Sequence, residues 1–170
     1  MKKYNIAIIG ATGNVGREIL NILEFRKFPI NKIFALASSR SEGTKIIYGD
    51  DKDIIVSDLE KFNFKDIDIV LSSAGSNISK KYSDIAIKEG SILIDNTSYF
   101  RMEKNVPLIV PEVNPEDLKT FSKKSSICGI KLKAIFFVKK FASNGLFLYT
   151  SSVWWNNSSI AVFPAPDVDW

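Results

Sequence analysis

Three glycines at residues 10, 13 and 16 have the spacing that most directly indicates a chemical role. They form the pattern G-x-x-G-x-x-G, which follows the apolar run IAII at residues 6–9 and precedes apolar residues at helical spacing. In a strand–turn–helix unit, such glycines permit a tight turn, close backbone approach to a pyrophosphate, and close packing of helix on sheet. The helix amino terminus presents N–H groups and partial positive charge to the phosphates. The pattern predicts a dinucleotide site; the alternative is a glycine-rich turn without a ligand.

Arg40 and Ser41 follow the second apolar run, residues 32–37, where a nucleotide-binding fold meets the adenosine ribose. An NAD-binding site has Asp or Glu at this place to accept a hydrogen bond from the ribose 2′-hydroxyl. A guanidinium and hydroxyl groups suit a 2′-phosphate instead, so the segment favours NADP. Glu42 lies just beyond and argues against NADP, and a solvent-exposed loop arginine is the alternative interpretation.

Two further segments follow apolar runs and are candidates for ligand contact. The small residues SAG at 73–75 come after the run at 67–72 and allow a ligand to approach the backbone. Arg101 lies in the polar segment DNTSYFRM at residues 95–102. Ligands bind at the carboxyl ends of strands in open α/β sheets, so Arg101 is a candidate anion-binding residue. An ordinary surface arginine explains the same pattern equally well.

Cys128 is the single cysteine, and the chain contains no histidine. A mechanism with a histidine base or a histidine metal ligand is therefore excluded for this chain on its own. A lone cysteine is more commonly a buried, unreactive thiol, and its activation needs a basic neighbour that lowers the thiol pKa. Cys128 is the only candidate for a catalytic residue, and we do not assign it that role. We also expect no metal site.

Strands and helices alternate along residues 4–124 in the order that a doubly wound, mostly parallel sheet requires. Asn114 is a predicted N-cap, with Pro115 as the first residue of a helix that runs to Lys124. We predict strands at residues 4–9, 32–37, 46–48, 54–56, 67–72, 91–95 and 108–110, and helices at 14–25, 77–89 and 115–124. The expected fold class is α/β and Rossmann-like.

The composition is that of an ordinary globular domain, with 45% hydrophobic and 25% charged residues among 170. The net charge of +4 comes from scattered residues and fits a solvated surface, so we expect no nucleic-acid partner. The amino terminus has no long apolar segment, and a single cysteine fits a reducing compartment. We therefore expect a cytoplasmic protein.

Five motifs, in order, resemble the amino-terminal half of bacterial aspartate-semialdehyde dehydrogenases. They are GATGNVG at residues 10–16, ASSRSEG at 37–43, SSAGS at 72–76, IDNTSYFRM at 94–102 and VPLIVPEVN at 106–114. The resemblance covers about residues 3–124. Acetylglutamyl-phosphate reductases share the first glycine turn but fit the fourth and fifth motifs less well.

The resemblance implies reductive dephosphorylation of aspartyl phosphate to aspartate semialdehyde with NADPH, through a cysteine thioester and a histidine acid–base, in a homodimer. This step serves the biosynthesis of lysine, diaminopimelate, threonine and methionine. The resemblance also assigns roles to individual positions. By resemblance, the turn that binds the pyrophosphate consists of Gly10, Thr12, Gly13, Asn14, Val15 and Gly16, and the 2′-phosphate is bound by Arg40 and Ser41. The cofactor lies along Ser73, Ala74 and Gly75, and the substrate phosphate is bound by Arg101.

The sequence departs from the family after residue 124. The family has Asn-Pro-Asn-Cys near this point, whereas Cys128 lies in SSICGIKL, and no histidine follows. Residues 125–170 include all three tryptophans, and polar residues interrupt their apolar stretches too often for a membrane span. We therefore predict two parts, an NADP-binding domain at 1–124 and an irregular tail at 125–170, and we hypothesise a lost reading frame near Ile127.

The expected function is NADP binding in a chain truncated before the catalytic machinery, so homodimer formation is in doubt here. A non-catalytic NADP-binding module and a partner for a full-length copy are the alternatives from other functional classes. A different reductase that uses Cys128 with Glu112 or Lys131 as base is a further alternative.

Overall fold

The computed structural model describes residues 2–49, 52–110, 113–114 and 117, and the backbone of strands at 126–129, 155–156 and 159–160. In chain order, the elements are β1 (Tyr4–Ile9), α1 (Asn14–Phe25), β2 (Ile30–Ala37), β3 (Lys45–Tyr48), β4 (Lys52–Asp58), β5 (Ile69–Ser72), α2 (Ser76–Lys88), β6 (Ile92–Asp95), β7 (Leu108–Ile109), β8 (Ser126–Gly129), β9 (Trp155–Asn156) and β10 (Ser159–Ile160). Single turns of 3-10 helix follow β2 (Ser39–Ser41) and β4 (Leu59–Lys61).

Within the described residues, eight strands form one sheet in the order β3-β4-β2-β1-β5-β6-β8-β7. All neighbours are parallel except the β3–β4 hairpin, and β9 and β10 form a separate antiparallel pair. The chain leaves β1 toward β2 and β4, then returns to β5 on the other side of β1. This reversal confirms the predicted doubly wound α/β sheet, and ligands bind at such a switch point in sheets of this kind.

Strand β1 is buried on both faces and divides the core into two clusters. Ile6 and Ile8 pack with α1 on one face, whereas Ala7 and Ile9 pack with α2 on the other. The buried helix residues in these clusters are Ile19, Leu20 and Leu23 from α1, and Tyr82 and Ala86 from α2. Because strand side chains alternate between faces, a continuous apolar run such as IAII predicts helices on both sides.

The predicted bounds of β1 and α1 agree with the structure, and most other bounds differ by one or two residues. Strand β2 begins at Ile30, earlier than predicted, because Ile30 already pairs with Tyr4 across an irregularity in the ladder. Strand β5 begins at Ile69, later than predicted, because Asp66 has φ of 63° and the Ile67 N–H donates to the Phe64 carbonyl in a turn.

Strand β8 extends the sheet beyond the position at which the sequence analysis ends the domain. Ser126–Gly129 lies between β6 and β7, parallel to both. The sheet therefore includes residues that the sequence analysis assigned to an irregular tail. Most of the predicted third helix, residues 115–124, lies outside the described residues. In the part of the chain that the structure describes, neither helix is long and apolar enough to cross a membrane.

We predict that Gly16→Ala strongly destabilises the domain. A Cβ at Gly16 would lie 2.1 Å from the Gly10 carbonyl oxygen and 2.7 Å from Ala11 Cα, so α1 would have to move away from the turn after β1. Overpacking against backbone atoms costs about 1–3 kcal/mol or more. Urea denaturation measures the expected loss in free energy of unfolding.

Gly13→Ala is the matched control for this substitution. Gly13 has φ of −76° and ψ of 164°, which alanine adopts readily, and an added Cβ would meet the Gly10 carbonyl oxygen at an ordinary 3.4 Å. Because alanine is a poorer N-cap than glycine, we expect the free energy of unfolding of this variant to fall by no more than about 1 kcal/mol. Equal stability losses in the two variants would contradict the packing role of Gly16.

Candidate functional site

The glycine turn after β1 is held against both neighbouring strands. The N–H groups of Gly10 and Ala11 both donate to the Leu36 carbonyl of β2, at 2.9 and 3.1 Å. Gly10 has φ of 85°, and a Cβ there would lie only 3.0 Å from the Ala74 Cβ. Glycine at this position therefore allows both the left-handed backbone and close contact with the loop after β5.

The amino terminus of α1 follows this turn without a capping side chain. Gly13 is the N-cap, the first turn contains no acidic residue, and the Gly13 carbonyl accepts from the Arg17 N–H at 2.9 Å. The first N–H groups of a helix have no intrahelical acceptor, and a helix terminus favours an anion. Thr12, Asn14 and Val15 are at least partly exposed beside these groups. This terminus fits a pyrophosphate.

Arg17 adds a positive charge that the sequence analysis missed. Its Nε donates to the Thr12 carbonyl at 3.3 Å, and the side chain is exposed. The signal was present, because a residue one turn after the N-cap lies close to the glycine turn in any α-helix. Arg17 therefore adds to the attraction of this end of the sheet for phosphate.

The amino terminus of α2 lies at the same edge of the sheet, after the neighbouring strand β5. Its N-cap is Gly75, with φ of 96°, no capping side chain and no acidic residue in the first turn. An ideal Cβ at Gly75 would meet nothing within 4 Å. Ser73 holds this loop against β1, since both its N–H and its Oγ donate to the Ile9 carbonyl, at 3.0 and 3.1 Å. The structure thus brings the predicted segments 10–16 and 73–75 together.

Arg40 and Ser41 lie in the 3-10 turn that follows β2. Arg40 is exposed and makes no ion pair with any residue that the structure describes. Ser41 is half-buried, and its N–H donates to the Ser38 carbonyl at 2.8 Å. The turn therefore presents a guanidinium and hydroxyl groups at the carboxyl end of β2, as a 2′-phosphate site requires.

Glu42, the residue that argued against NADP, is engaged by a lysine. Lys61 Nζ lies 2.9 Å from the Glu42 carboxylate and 3.5 Å from that of Asp58. The hydrogen bond and charge of Glu42 raise the pKa of Lys61 above its ordinary value. Lys61 could not be predicted as a partner of Glu42, because no local pattern connects the turns after β2 and β4.

Arg101 lies in the loop after β6 and is exposed, which fits both a ligand-binding residue and an ordinary surface arginine. Its N–H donates to the Ser98 carbonyl at 3.3 Å, and the Ser98 hydroxyl lies 2.9 Å from the hydroxyl of Ser76 in the first turn of α2. The described residues form no ion pair with Arg101. These hydrogen bonds hold the backbone of the loop that carries Arg101 next to the amino terminus of α2.

A buried network under this loop was also missed. Asp95, at the end of β6, is fully buried and accepts from the hydroxyls of Ser79 and Thr97 at 2.8 and 2.6 Å. It also accepts from the Thr97 N–H at 3.2 Å, and Ser72 lies 3.1 Å from Ser79 between their hydroxyl oxygens. The network joins β5, α2 and β6, so it sets the position of the loop that carries Arg101.

Cys128 lies in β8, where its backbone pairs with Asp95 of β6 and Leu108 of β7. Its side chain is outside the described part of the structure, so its catalytic candidacy stays a prediction. Among the described residues, no three Cys, Asp or Glu side chains form a group that could hold a metal ion.

We predict that Asp95→Ala lowers the free energy of unfolding by about 2–3 kcal/mol. The substitution leaves the buried hydroxyls of Ser79 and Thr97 without their carboxylate acceptor, and hydrogen bonds to charged groups contribute about 1.5–3 kcal/mol. Urea denaturation measures the change. Asp84→Ala, on the exposed side of α2, is the control and should shift stability by less than about 0.5 kcal/mol. Similar values for both variants would contradict the structural role of the network.

Comparison with known proteins gives a family match over most of the described domain. Residues 5–121 match the family model described as "Semialdehyde dehydrogenase, NAD binding domain". A curated relative, the aspartate-semialdehyde dehydrogenase of Rickettsia bellii, is 53% identical over 126 residues, which cover 74% of this chain and 37% of that protein. The chain therefore spans little more than a third of the length of this relative.

Solved structures of longer proteins share the fold. Aspartate semialdehyde dehydrogenase II of Vibrio cholerae, complexed with ASA, has a TM-score of 0.72 and 38% identity, covering 82% of this chain and 46% of that chain. Aspartate semialdehyde dehydrogenase with NADP from Candida albicans has a TM-score of 0.62 and 27% identity, with the same coverages of 82% and 46%. With the glycine turn, the two helix termini and the family match in agreement, this chain belongs to the semialdehyde dehydrogenase NAD-binding domain family.

Proposed function

We propose that this chain binds NADP(H) at the carboxyl edge of its sheet. The observation that carries the proposal is the pair of uncapped helix amino termini, Gly13 of α1 and Gly75 of α2, at neighbouring strands. The free backbone N–H groups at these termini can donate hydrogen bonds to the two phosphates of a dinucleotide. Neither helix has an acidic residue in its first turn that would repel them. The NADP complex of the Candida albicans relative supports the same choice of cofactor.

The adenosine end of the cofactor lies, in this proposal, over the turn after β2. Arg40 and Ser41 take the 2′-phosphate, because Arg40 has no ionic partner among the described residues and a guanidinium fork binds phosphate well. Glu42 does not compete for this position, since its carboxylate is held by Lys61. The turn therefore selects NADP over NAD.

The remaining cofactor contacts follow the loops at the centre of the sheet. The pyrophosphate lies at the turn of Gly10, Thr12, Gly13, Asn14, Val15 and Gly16, and the segment of Ser73, Ala74 and Gly75 lies along the cofactor. When bound, NADPH supplies a hydride. The chain's own residues bind and orient the cofactor, and we propose no proton transfer by them.

The substrate proposal rests on Arg101 and on the names of the relatives. We propose that Arg101 binds the phosphate of aspartyl phosphate, the substrate in the direction that forms aspartate semialdehyde. The chain has no histidine, so we propose that it holds cofactor without turnover by itself. Several points stay predictions. They are a cytoplasmic location, a homodimer, pairing with a longer copy, and a role in lysine, diaminopimelate, threonine and methionine biosynthesis.

We predict that Arg40→Ala reduces NADPH affinity about tenfold or more and leaves NADH affinity nearly unchanged. The variant removes a charge-assisted hydrogen bond, worth about 1.5–3 kcal/mol, that only the 2′-phosphate can make. Titration followed by the fluorescence of the reduced nicotinamide measures both affinities.

Arg101→Ala is the control for this titration, since Arg101 is also exposed and binds the substrate rather than the cofactor in our proposal. We expect its NADPH affinity to match that of the original chain within about twofold. Failure of the original chain to bind NADPH, or an equal loss of both cofactors in Arg40→Ala, would contradict the proposal.

A further inference from the structure

The turns after β2 and β4 form a cluster of four charged side chains at one corner of the sheet. They are Arg40 and Glu42 from the first turn, and Asp58 and Lys61 from the second. The two turns are neighbours because β2 and β4 pair in parallel, with Ala37 opposite Asp58 at their carboxyl ends. Glu60, also in the second turn, pairs with Lys81 instead. Lys61 is the ionic partner of both Glu42 and Asp58, so its loss leaves these two carboxylates without an ion pair among the described residues.

Asp58, the last residue of β4, holds Lys61 in position. Asp58 is almost fully buried, and its Oδ1 accepts from the Glu60 N–H at 3.1 Å, which caps the turn that carries Lys61. Its second oxygen lies 3.5 Å from Lys61 Nζ, which in turn donates to Glu42 at 2.9 Å. The buried carboxylate therefore directs the lysine toward Glu42 across the gap between the two turns.

Glu42 has the chemistry that an NAD site uses, because a carboxylate after β2 accepts a hydrogen bond from the ribose 2′-hydroxyl and repels a 2′-phosphate. Its neighbour Arg40 has the chemistry of an NADP site. The sequence thus carries both types of determinant within three residues. The ion pair with Lys61 offsets the charge of the carboxylate and occupies one of its two oxygens, which favours Arg40 as the determinant of selectivity.

We propose that Lys61 is a positioning residue for cofactor selectivity, which acts by holding Glu42 away from the ribose site. This inference rests on the proposed function, since it assumes that the turn after β2 binds the adenosine ribose. Lys61 has no contact with the cofactor in this account. Loss of its charge frees Glu42 to accept from an unphosphorylated ribose and to repel the 2′-phosphate.

A double-mutant cycle of Lys61→Gln and Glu42→Gln tests the proposal. The dissociation constants of NADPH and NADH are measured for the four proteins by nicotinamide fluorescence. We expect Lys61→Gln to reduce the preference for NADPH about threefold to fivefold, the modest effect that an exposed ion pair gives. We expect Glu42→Gln to keep or increase that preference, and the double variant to match Glu42→Gln.

Lys81→Gln is the matched control, because Lys81 forms a comparable exposed ion pair, 3.1 Å from Glu60, without engaging Glu42. We expect it to keep the original preference. Thermal unfolding of each variant checks that all four proteins of the cycle and the control are folded.

Two results would overturn the proposal. A loss of preference in Lys61→Gln that persists in the double variant would show that Lys61 attracts the 2′-phosphate directly. An unchanged preference in Lys61→Gln would show that the ion pair only joins the two turns. Failure of the original chain to bind either cofactor is a distinct outcome, which would overturn the proposed function and this inference with it.

Discussion

The close approach of α1 to the turn after β1 is the constraint on which the rest of the site depends. Gly16 packs against the Gly10 carbonyl at a distance that leaves no room for a Cβ. This contact brings the helix amino terminus to the carboxyl edge of the sheet, where its first N–H groups lack a capping side chain and favour an anion. The same constraint applies to the loop after β5, because the absence of a side chain at Gly10 allows Ala74 to pack against it. The first glycine turn therefore positions both of the segments that we predict to bind phosphate.

The burial of β1 on both faces provides the second part of this arrangement. Ile6 and Ile8 face α1 while Ala7 and Ile9 face α2, so the two helices lie on opposite sides of the sheet. Their amino termini still meet at one edge, because each helix follows a strand of the same direction. The buried Asp95 network joins a third segment to this edge and places Arg101 beside the start of α2. The contacts that stabilise the core thus also position the candidate site.

Local signals made much of this structure predictable from the sequence. The IAII run and the glycine pattern predicted β1, α1 and the turn between them correctly, since turn and helix signals act between residues close in the chain. Pyrophosphate binding by this turn stays a prediction. The contacts that could not be predicted join distant residues. Lys61 reaches Glu42 over 19 positions, Ser79 reaches Asp95 over 16, and β8 inserts between β6 and β7 from residues 126–129. Each depends on sheet order, which single-residue patterns do not encode.

Hydrogen exchange with and without NADPH, followed by mass spectrometry, tests the central claim most directly. The claim is that a dinucleotide binds across the amino termini of α1 and α2, with its adenosine end over the turn after β2. We expect NADPH to slow exchange in peptides that cover residues 11–17, 38–43 and 73–79, and to leave the edge strand Lys45–Tyr48 unchanged. Slowed exchange elsewhere, with residues 11–17 and 73–79 unaffected, would contradict the account.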